Sequence, residues 1–208
     1  MLTRRAPGFT LIELLIGLVL LGLLLVLAAP SFTAMLQNMK LRGTAEALSA
    51  GLQAARGEAL KRNAQVEFLL TDADPTAGSV AGAAVTNNGP NFMVRAKVGV
   101  GGYVFVEGRS GNEGQHQTEG SAVNVQVNGT PVAAPSPPGL TAGAVTFNSV
   151  GRALIASDAV FTVTNPAGGA CKAAGGPMTC LNVVVTPGGR IRMCNPDPAI
   201  PNTDSRAC

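Results

Sequence analysis

The sequence of 208 residues is poor in aromatic rings, charged groups and histidine. Aromatic residues make up 4% of it and charged residues 13%, tryptophan is absent, and His116 is the one histidine. The sequence contains no phosphate-binding loop, no H-E-x-x-H, no G-x-S-x-G and no C-x-x-C. The chain therefore carries none of these catalytic or metal-binding signatures. We interpret His116, which lies in a glycine-rich segment, as a solvated loop residue. We therefore predict a structural or binding protein that is not an enzyme, without catalytic residues, metal or cofactor.

A basic leader precedes one long apolar segment. Arg4-Arg5 are followed by the run Phe9–Ala29, whose single charged residue is Glu13. As a helix this run is long enough to cross a bilayer core of about 30 Å, and the positive-inside rule places its N-terminus in the cytoplasm. An ordinary secretory signal and a twin-arginine signal are the alternatives. The length of the run and Glu13 argue against the first, and Pro7-Gly8 argues against the second.

The stretch Gly8-Phe9-Thr10-Leu11-Ile12-Glu13-Leu14 resembles the processing site of type IV prepilins and type II secretion pseudopilins. The resemblance implies that prepilin peptidase cuts between Gly8 and Phe9, and that Phe9 becomes N-methylated. It also implies that Glu13 pairs with the N-terminal amine of a neighbouring subunit, since a lone carboxylate in a medium of low dielectric is costly. The alternative is that Glu13 has no such role and that its side chain extends to the membrane–water interface.

The expected domains follow from this resemblance. Residues 1–8 are the leader peptide, residues 9–30 the transmembrane or filament-core half of a helix, and residues 31–208 an extracytoplasmic globular domain. The expected fold is α+β and type IV pilin-like, with a long N-terminal helix packed on a mainly antiparallel β-sheet domain.

Helical periodicity changes to alternation near Asn63. One helix is predicted from about Phe9 to Asn63, with a kink or local melting at Pro30. The loops 72–91 and 108–143 are rich in small and polar residues and are predicted to be mobile. Alternating segments predict nine strands, at 66–70, 92–98, 103–106, 123–127, 145–147, 153–155, 160–163, 181–185 and 190–193.

Four cysteines lie in the last quarter of the chain, at Cys171, Cys180, Cys194 and Cys208. An even number outside the cytoplasm indicates disulfides. The pairs Cys171–Cys180 and Cys194–Cys208 are favoured because they close short local loops, and the second would staple the C-terminal tail onto the sheet. The alternative is Cys180–Cys194, whose members face each other across the predicted hairpin.

The segment Gly189-Arg190-Ile191-Arg192 follows Thr186-Pro187-Gly188, where Pro then Gly suits a type II turn. Residues two apart lie on one face of a strand, so Arg190 and Arg192 would make a small anion-binding edge, which Lys172 and Arg206 could extend. Asp197 and Asp204 oppose such a patch. The alternative is a charged edge strand that only blocks aggregation.

Two segments of the chain resemble the FimT/GspH family. Gly189-Arg190-Ile191-Arg192 matches the G-R-x-R motif of its FimT-type minor pilins, and the stretch from Phe147 to Arg152 is similar to the F-x-x-x-G-R segment of the family. The resemblance implies binding of extracellular double-stranded DNA for natural transformation, with contacts to phosphates that are independent of sequence.

The resemblance implies a minor type IV pilin that is inserted in the inner membrane, with a cytoplasmic N-terminus and a periplasmic domain. It then enters a pilus at the cell surface. The implied partners are other major and minor pilins or pseudopilins, prepilin peptidase, the inner membrane and DNA. The alternative in the same family is a GspH-like minor pseudopilin of a type II secretion system. A secreted enzyme with a cleaved signal peptide is the alternative from another class.

Overall fold

A computed structural model describes residues 10–86, 91–110, 124–128, 143–165 and 168–208, without the side chains of 26–31 and 124–128. The chain divides into two compact units, Met1–Leu36 and Gln37–Cys208. Among the residues so described, no helix is both long enough and apolar enough to cross a membrane.

In the described parts of the chain, one long helix precedes eight strands. The helix α1 spans Leu11–Arg62. Helical spacing of apolar residues and helix-forming Ala and Leu carry it to Arg62, and Asn63 then leaves it with a positive φ of 50°. The strands are β1 Val66–Thr71, β2 Asn91–Val98, β3 Gly102–Arg109, β4 Asn124–Asn128, β5 Ala144–Phe147, β6 Ala159–Thr164, β7 Leu181–Val185 and β8 Ile191–Cys194.

The strands form two antiparallel sheets of four strands each. The first sheet has the order β3-β2-β1-β5 and the second the order β4-β6-β7-β8. In the second sheet Val185 pairs with Ile191 and Asn182 with Cys194, so β7 and β8 form a hairpin with β8 at the edge. The expected α+β fold, a long helix followed by mainly antiparallel β-structure, is confirmed.

A stripe of α1 lies in the core with both sheets. Its members Leu41, Ala45, Leu48, Leu52, Ala55 and Ala59 are at most 1% exposed and recur every three or four residues. They belong to one apolar cluster with Phe68 and Phe147 of the first sheet and Phe161 of the second. The ring of Phe161 stands edge-on to that of Phe68, with centroids 5.7 Å apart. The C-terminal part of α1 therefore packs against both sheets and holds them together.

Residues 72–86 cover the outer face of the first sheet, although their composition predicted a mobile loop. Val80 and Ala83 are buried in a second apolar cluster with Leu69 and Met93. The guanidinium of Arg95 in β2 donates hydrogen bonds to the carbonyl oxygens of Val80 and Ala83, at 3.1 and 3.3 Å. Two apolar side chains and one arginine therefore hold this segment. Most of the other predicted mobile loop, 108–143, lies outside the described residues.

Three local predictions differ from the structure. Helix α1 continues through Pro30, so the chain does not melt there, and a kink at that residue stays a prediction. The predicted strand at 153–155 is absent: Ala153 forms an isolated bridge to Phe147, and the chain bends away at 156–157. Strand β8 begins at Ile191, because the turn before it extends through Arg190.

Candidate functional site

The turn between β7 and β8 ends in a glycine and an arginine. The Gly189 amide donates to the carbonyl oxygen of Thr186 at 2.8 Å, and the Thr186 amide donates to that of Arg190 at 3.0 Å. The positive φ, 79°, is at Gly189 and not at Gly188. A type II turn would need it at Gly188, so the predicted turn type is wrong. The loop instead follows the three-residue hairpin pattern, in which a left-handed glycine ends the turn.

A second turn repeats this pattern between Asn148 and Arg152. The Gly151 amide donates to the Asn148 carbonyl oxygen, and the Asn148 amide donates to the Arg152 carbonyl oxygen, each at 2.9 Å. Gly151 has a φ of 75°. In both turns the first side chain accepts a hydrogen bond from the arginine amide: Asn148 Oδ1 from Arg152 at 2.9 Å, and Thr186 Oγ1 from Arg190 at 3.3 Å. We call these two segments, 148–152 and 186–190, the Gly-Arg turns.

The two Gly-Arg turns contact each other through their glycines. A Cβ atom placed on Gly189 would overlap the carbonyl oxygen of Gly151, so the backbones meet at a distance that only glycine permits. The Nε atom of Arg56, from α1, donates to that same carbonyl oxygen at 3.1 Å. It lies 3.2 Å from a Cβ built on Gly151 and 3.3 Å from one built on Gly189. The Arg56 side chain therefore joins the helix to both turns.

A groove of about 550 Å³ lies between α1 and the second Gly-Arg turn. Its lining consists of Gln53, Arg56, Gly57, Leu60, Gly188, Arg190 and Ile191. Arg56 is half-buried and Arg190 is exposed. The lining includes two cations, no acid and no aromatic ring, so the groove suits an anion and offers nothing for a base to stack on.

Arg192 is directed to a different part of the molecule. Its Nη1 atom donates to the carbonyl oxygen of Ala207 at 3.2 Å, and its Nη2 atom to the main-chain oxygen of Cys208 at 2.9 Å. The Asn195 amide donates to the Arg206 carbonyl oxygen at 2.7 Å, which pairs the tail with the end of β8. The two arginines of G-R-x-R thus have separate surroundings: Arg190 lies at the groove, and Arg192 holds the C-terminal tail.

The structure does not bring Lys172 and Arg206 into the groove lining. Lys172 is in a 3-10 turn, Lys172–Ala174, beside Cys171. Cys171 is bonded to Cys180 just before β7, whereas Arg190 is the last residue of the turn at the other end of that strand. Arg206 Nη2 is 2.6 Å from Asp204 Oδ2. Hydrogen bonds from the Arg206 side chain and amide lower the pKa of the Asp204 carboxyl to about 2. The charge of Arg206 is therefore balanced at neutral pH.

The four cysteines form the two pairs that short loops favour. Cys171 is bonded to Cys180, with Cα atoms 5.4 Å apart, and Cys194 to Cys208, with Cα atoms 5.0 Å apart. The second bond and the Arg192 hydrogen bonds act on the same tail. The alternative pair Cys180–Cys194 is not formed.

The N-terminal candidates are partly described. Gly8 and Phe9 lie outside the described residues, as does His116. Glu13 is in the first turn of α1, and its amide donates to Thr10 Oγ1 at 3.3 Å. Thr10 therefore caps the helix, and an acid three residues after the cap suits the positive end of the helix dipole.

Two further charged features were missed from the sequence. Arg56 lines the groove only because α1 meets the Gly-Arg turns, and Arg152 ends the first of those turns without being part of the groove lining. Arg95 is buried with Glu67 on the neighbouring strand, at 2.6 Å, and its Cζ lies 3.9 Å from the centre of the Tyr103 ring. The opposite charges in facing strands were the available signal for that pair.

Within the described ranges, no group of three or more histidine, cysteine or acidic residues could hold a metal ion.

Two family models match the sequence. The prokaryotic N-terminal methylation motif matches residues 3–29. The model for type II transport protein GspH matches residues 44–189, which include the first Gly-Arg turn and end at Gly189, before Arg190 and Arg192. No functionally curated protein matches the chain at a significant level.

Solved structures of two bacterial proteins are similar to the chain at low identity. The type IV minor pilin FimU of Pseudomonas aeruginosa is 15% identical, with a TM-score of 0.47 over 74% of this chain and 87% of that one. The minor pseudopilin EpsH from the Type 2 Secretion System of Vibrio cholerae is 10% identical, with a TM-score of 0.45 over 76% of this chain and 98% of that one. Since the GspH model covers more than half of the sequence, the chain belongs to the GspH family of minor type IV pilins and type II secretion pseudopilins.

Proposed function

We propose that this protein is a minor pilin that is built into a type IV pilus and helps the pilus to assemble. The observation that carries the proposal is the methylation motif at 3–29, which includes the apolar start of α1 from Leu11 onward. The large apolar side chains described between Leu11 and Leu25 are 54–81% exposed in the isolated chain. So much apolar surface needs a lipid or protein environment, and a membrane followed by a filament core provides both.

The proposed maturation begins at the leader. Prepilin peptidase cuts between Gly8 and Phe9, and Phe9 is methylated at its new amine. Residues 9–30 span the inner membrane, with the N-terminus in the cytoplasm and the domain in the periplasm. Glu13 then pairs with the N-terminal amine of the next subunit, which offsets the cost of both charges in the apolar filament core.

The finer part of the proposal is retention of extracellular double-stranded DNA through the C-terminal motif. Support comes from the exposed Arg190 beside a groove that contains no acid. Guanidinium groups bind phosphate through paired N–H donors, and such contacts do not depend on base sequence. The C-terminal Arg190 and Arg192 are the residues of the motif, and Lys172 and Arg206 are its more distant cations.

The direct test is an electrophoretic mobility shift with the full-length chain in a mild detergent and a short duplex DNA. We expect binding that weakens steeply with salt and does not distinguish between unrelated sequences. No binding at low salt would contradict DNA retention while leaving the role in assembly untouched.

A second candidate is a minor pseudopilin of a type II secretion system, and its support is the description of the matching family model as type II transport protein GspH. Deletion of the gene separates the two: loss of surface pili and of transformation supports the pilus, whereas loss of protein export with normal pili supports the secretion system. The protein itself should be found in sheared surface pili if the first candidate is right.

A further inference from the structure

The arginines in the described parts of the chain differ in whether a carboxylate balances them. Arg42, Arg62, Arg95 and Arg206 are each within 2.8 Å of a carboxylate oxygen. Arg56, Arg152 and Arg190 form no ion pair with any acid in the described ranges; Arg152 and Arg190 end the two Gly-Arg turns, and Arg56 of α1 donates to the first of them. Three guanidinium groups without an ion pair therefore belong to segments that meet at Gly151 and Gly189, whereas Arg192 donates to the C-terminal tail.

Backbone contacts bring the segments of these three residues together. Arg152 and Arg190 each follow a left-handed glycine, and those two glycines are in contact. The Nε of Arg56 lies against both glycines and uses one hydrogen bond, to Gly151 O. Its two terminal nitrogens carry further donors beyond that bond.

We propose that Arg56, Arg152 and Arg190 form the phosphate-binding site of this protein, and that Arg192 is a positioning residue that keeps the tail against β8. The ligand class is the phosphodiester backbone of a nucleic acid. The inference rests on the proposed retention of DNA and changes which residues perform it: two cations from other segments replace the second arginine of G-R-x-R.

The chemistry of the groove supports phosphate as the ligand. Planar guanidinium groups bind phosphate oxygens in pairs, and a strand of nucleic acid offers phosphates at regular intervals to several arginines at once. The lining has no aromatic side chain, so the bases would remain outside. Two N–H groups of Arg192 already donate to the oxygens of Ala207 and Cys208. Binding of DNA through Arg192 would therefore require release of the tail.

The experiment measures binding of a fluorescein-labelled duplex DNA to the full-length chain in detergent, by anisotropy over a series of KCl concentrations. The variants are Arg56→Gln, Arg152→Gln, Arg190→Gln and Arg192→Gln, with Lys97→Gln, at an exposed lysine near the end of β2, as the control. Arg56→Lys retains the charge of Arg56, and thermal unfolding of each variant verifies that it is folded.

We expect Arg152→Gln and Arg190→Gln each to weaken binding about tenfold and to reduce the salt slope by about 1. Arg56→Gln should do the same and Arg56→Lys should retain the slope, whereas Arg192→Gln and Lys97→Gln should bind within about twofold of the original chain.

Two results would overturn the inference while DNA retention stands: a loss with Arg192→Gln equal to that with Arg190→Gln, or normal binding by Arg152→Gln. Competition by polyglutamate as effective as competition by DNA would also overturn it, since the groove would then be a site for acidic peptide. If the original chain binds no DNA at low salt, the proposed DNA retention itself is wrong.

Discussion

The Nε atom of Arg56 and the carbonyl oxygen of Gly151, 95 residues apart in sequence, are joined by a hydrogen bond of 3.1 Å. This bond fastens the C-terminal part of α1 to the first Gly-Arg turn, and the second turn lies against the first through Gly189. The position of Arg190 therefore depends on two glycines and on an arginine of the helix. The groove is a product of that packing.

Replacing Gly189 by Ala should be strongly destabilising. A left-handed conformation costs a non-glycine residue about 1–2 kcal/mol, and overpacking adds about 1–3 kcal/mol because the new Cβ overlaps the oxygen of Gly151. We expect a loss of about 2–5 kcal/mol in the free energy of unfolding, measured by urea denaturation. Gly188→Ala is the matched control: its Cβ would meet only Thr186 Oγ1, at 3.7 Å, and should cost less than about 0.5 kcal/mol. Equal stability of the two variants would contradict the contact between the turns.

Arg192→Ala should loosen the C-terminal tail. Two hydrogen bonds from a partly exposed guanidinium are lost, for which about 1–2 kcal/mol is expected. Hydrogen exchange at the Cys208 amide, which donates to Asn195 O at 3.2 Å, should become faster. Arg190→Ala should leave that exchange unchanged, and both variants retain the Cys194–Cys208 bond. An unchanged exchange rate in Arg192→Ala would show that the disulfide and the backbone hydrogen bonds of Asn195 hold the tail without Arg192.

The buried Arg95–Glu67 pair predicts a non-additive result. Arg95 and Glu67 side chains are 8% and 15% exposed, so Glu67→Gln leaves a buried cation without its carboxylate. We expect Glu67→Gln to cost about 3–5 kcal/mol of unfolding free energy. The double variant Glu67→Leu with Arg95→Met removes both charges and should be less destabilised than either corresponding single variant in a double-mutant cycle. Additive losses would indicate that the two charges do not interact.

The tail also contains an acid whose titration reports its ion pair. The Asp204 carboxyl has a pKa lowered to about 2 by Arg206, against an ordinary value of about 3.9. Because the folded pKa is the lower one, the contribution of this pair to stability is complete above about pH 4 and is lost as pH falls towards 2. Carbon-13 NMR of the Asp204 carboxyl should show a midpoint near 2, and Arg206→Gln should raise it. A midpoint near 4 in the original chain would contradict the pair.

Local patterns in the sequence predict the elements of the fold well. The stripe from Leu41 to Ala59 recurs with helical period and is buried, since one face of a long amphipathic helix has to be covered. The β7–β8 hairpin lies between Leu181 and Cys194, close to its predicted place. Leu36, Met39 and Leu60 show the same period yet are 42%, 60% and 51% exposed. Periodicity identifies an apolar face without showing how far the domain extends along it.

The candidate site was less predictable because it is assembled from distant parts of the chain. Arg190 could be singled out from its own motif, but Arg56 and Arg152 become relevant only when Gly151 meets Gly189. The strand rule that puts Arg190 and Arg192 on one face fails because the turn extends through Arg190 and β8 starts at Ile191. The C-terminal tail, whose oxygens accept the hydrogen bonds of Arg192, is linked to β8 by the Cys194–Cys208 disulfide. No local sequence pattern predicts that path of the tail.

The most direct measurement of the proposed function is the mass of the mature N-terminal peptide from protein recovered in membranes and sheared pili. A pilin processed at its leader should begin with methylated Phe9, after cleavage that follows Gly8. A mature chain that begins at Pro30 or later would show removal of the apolar segment as a secretory signal, and the protein would then not be a filament subunit.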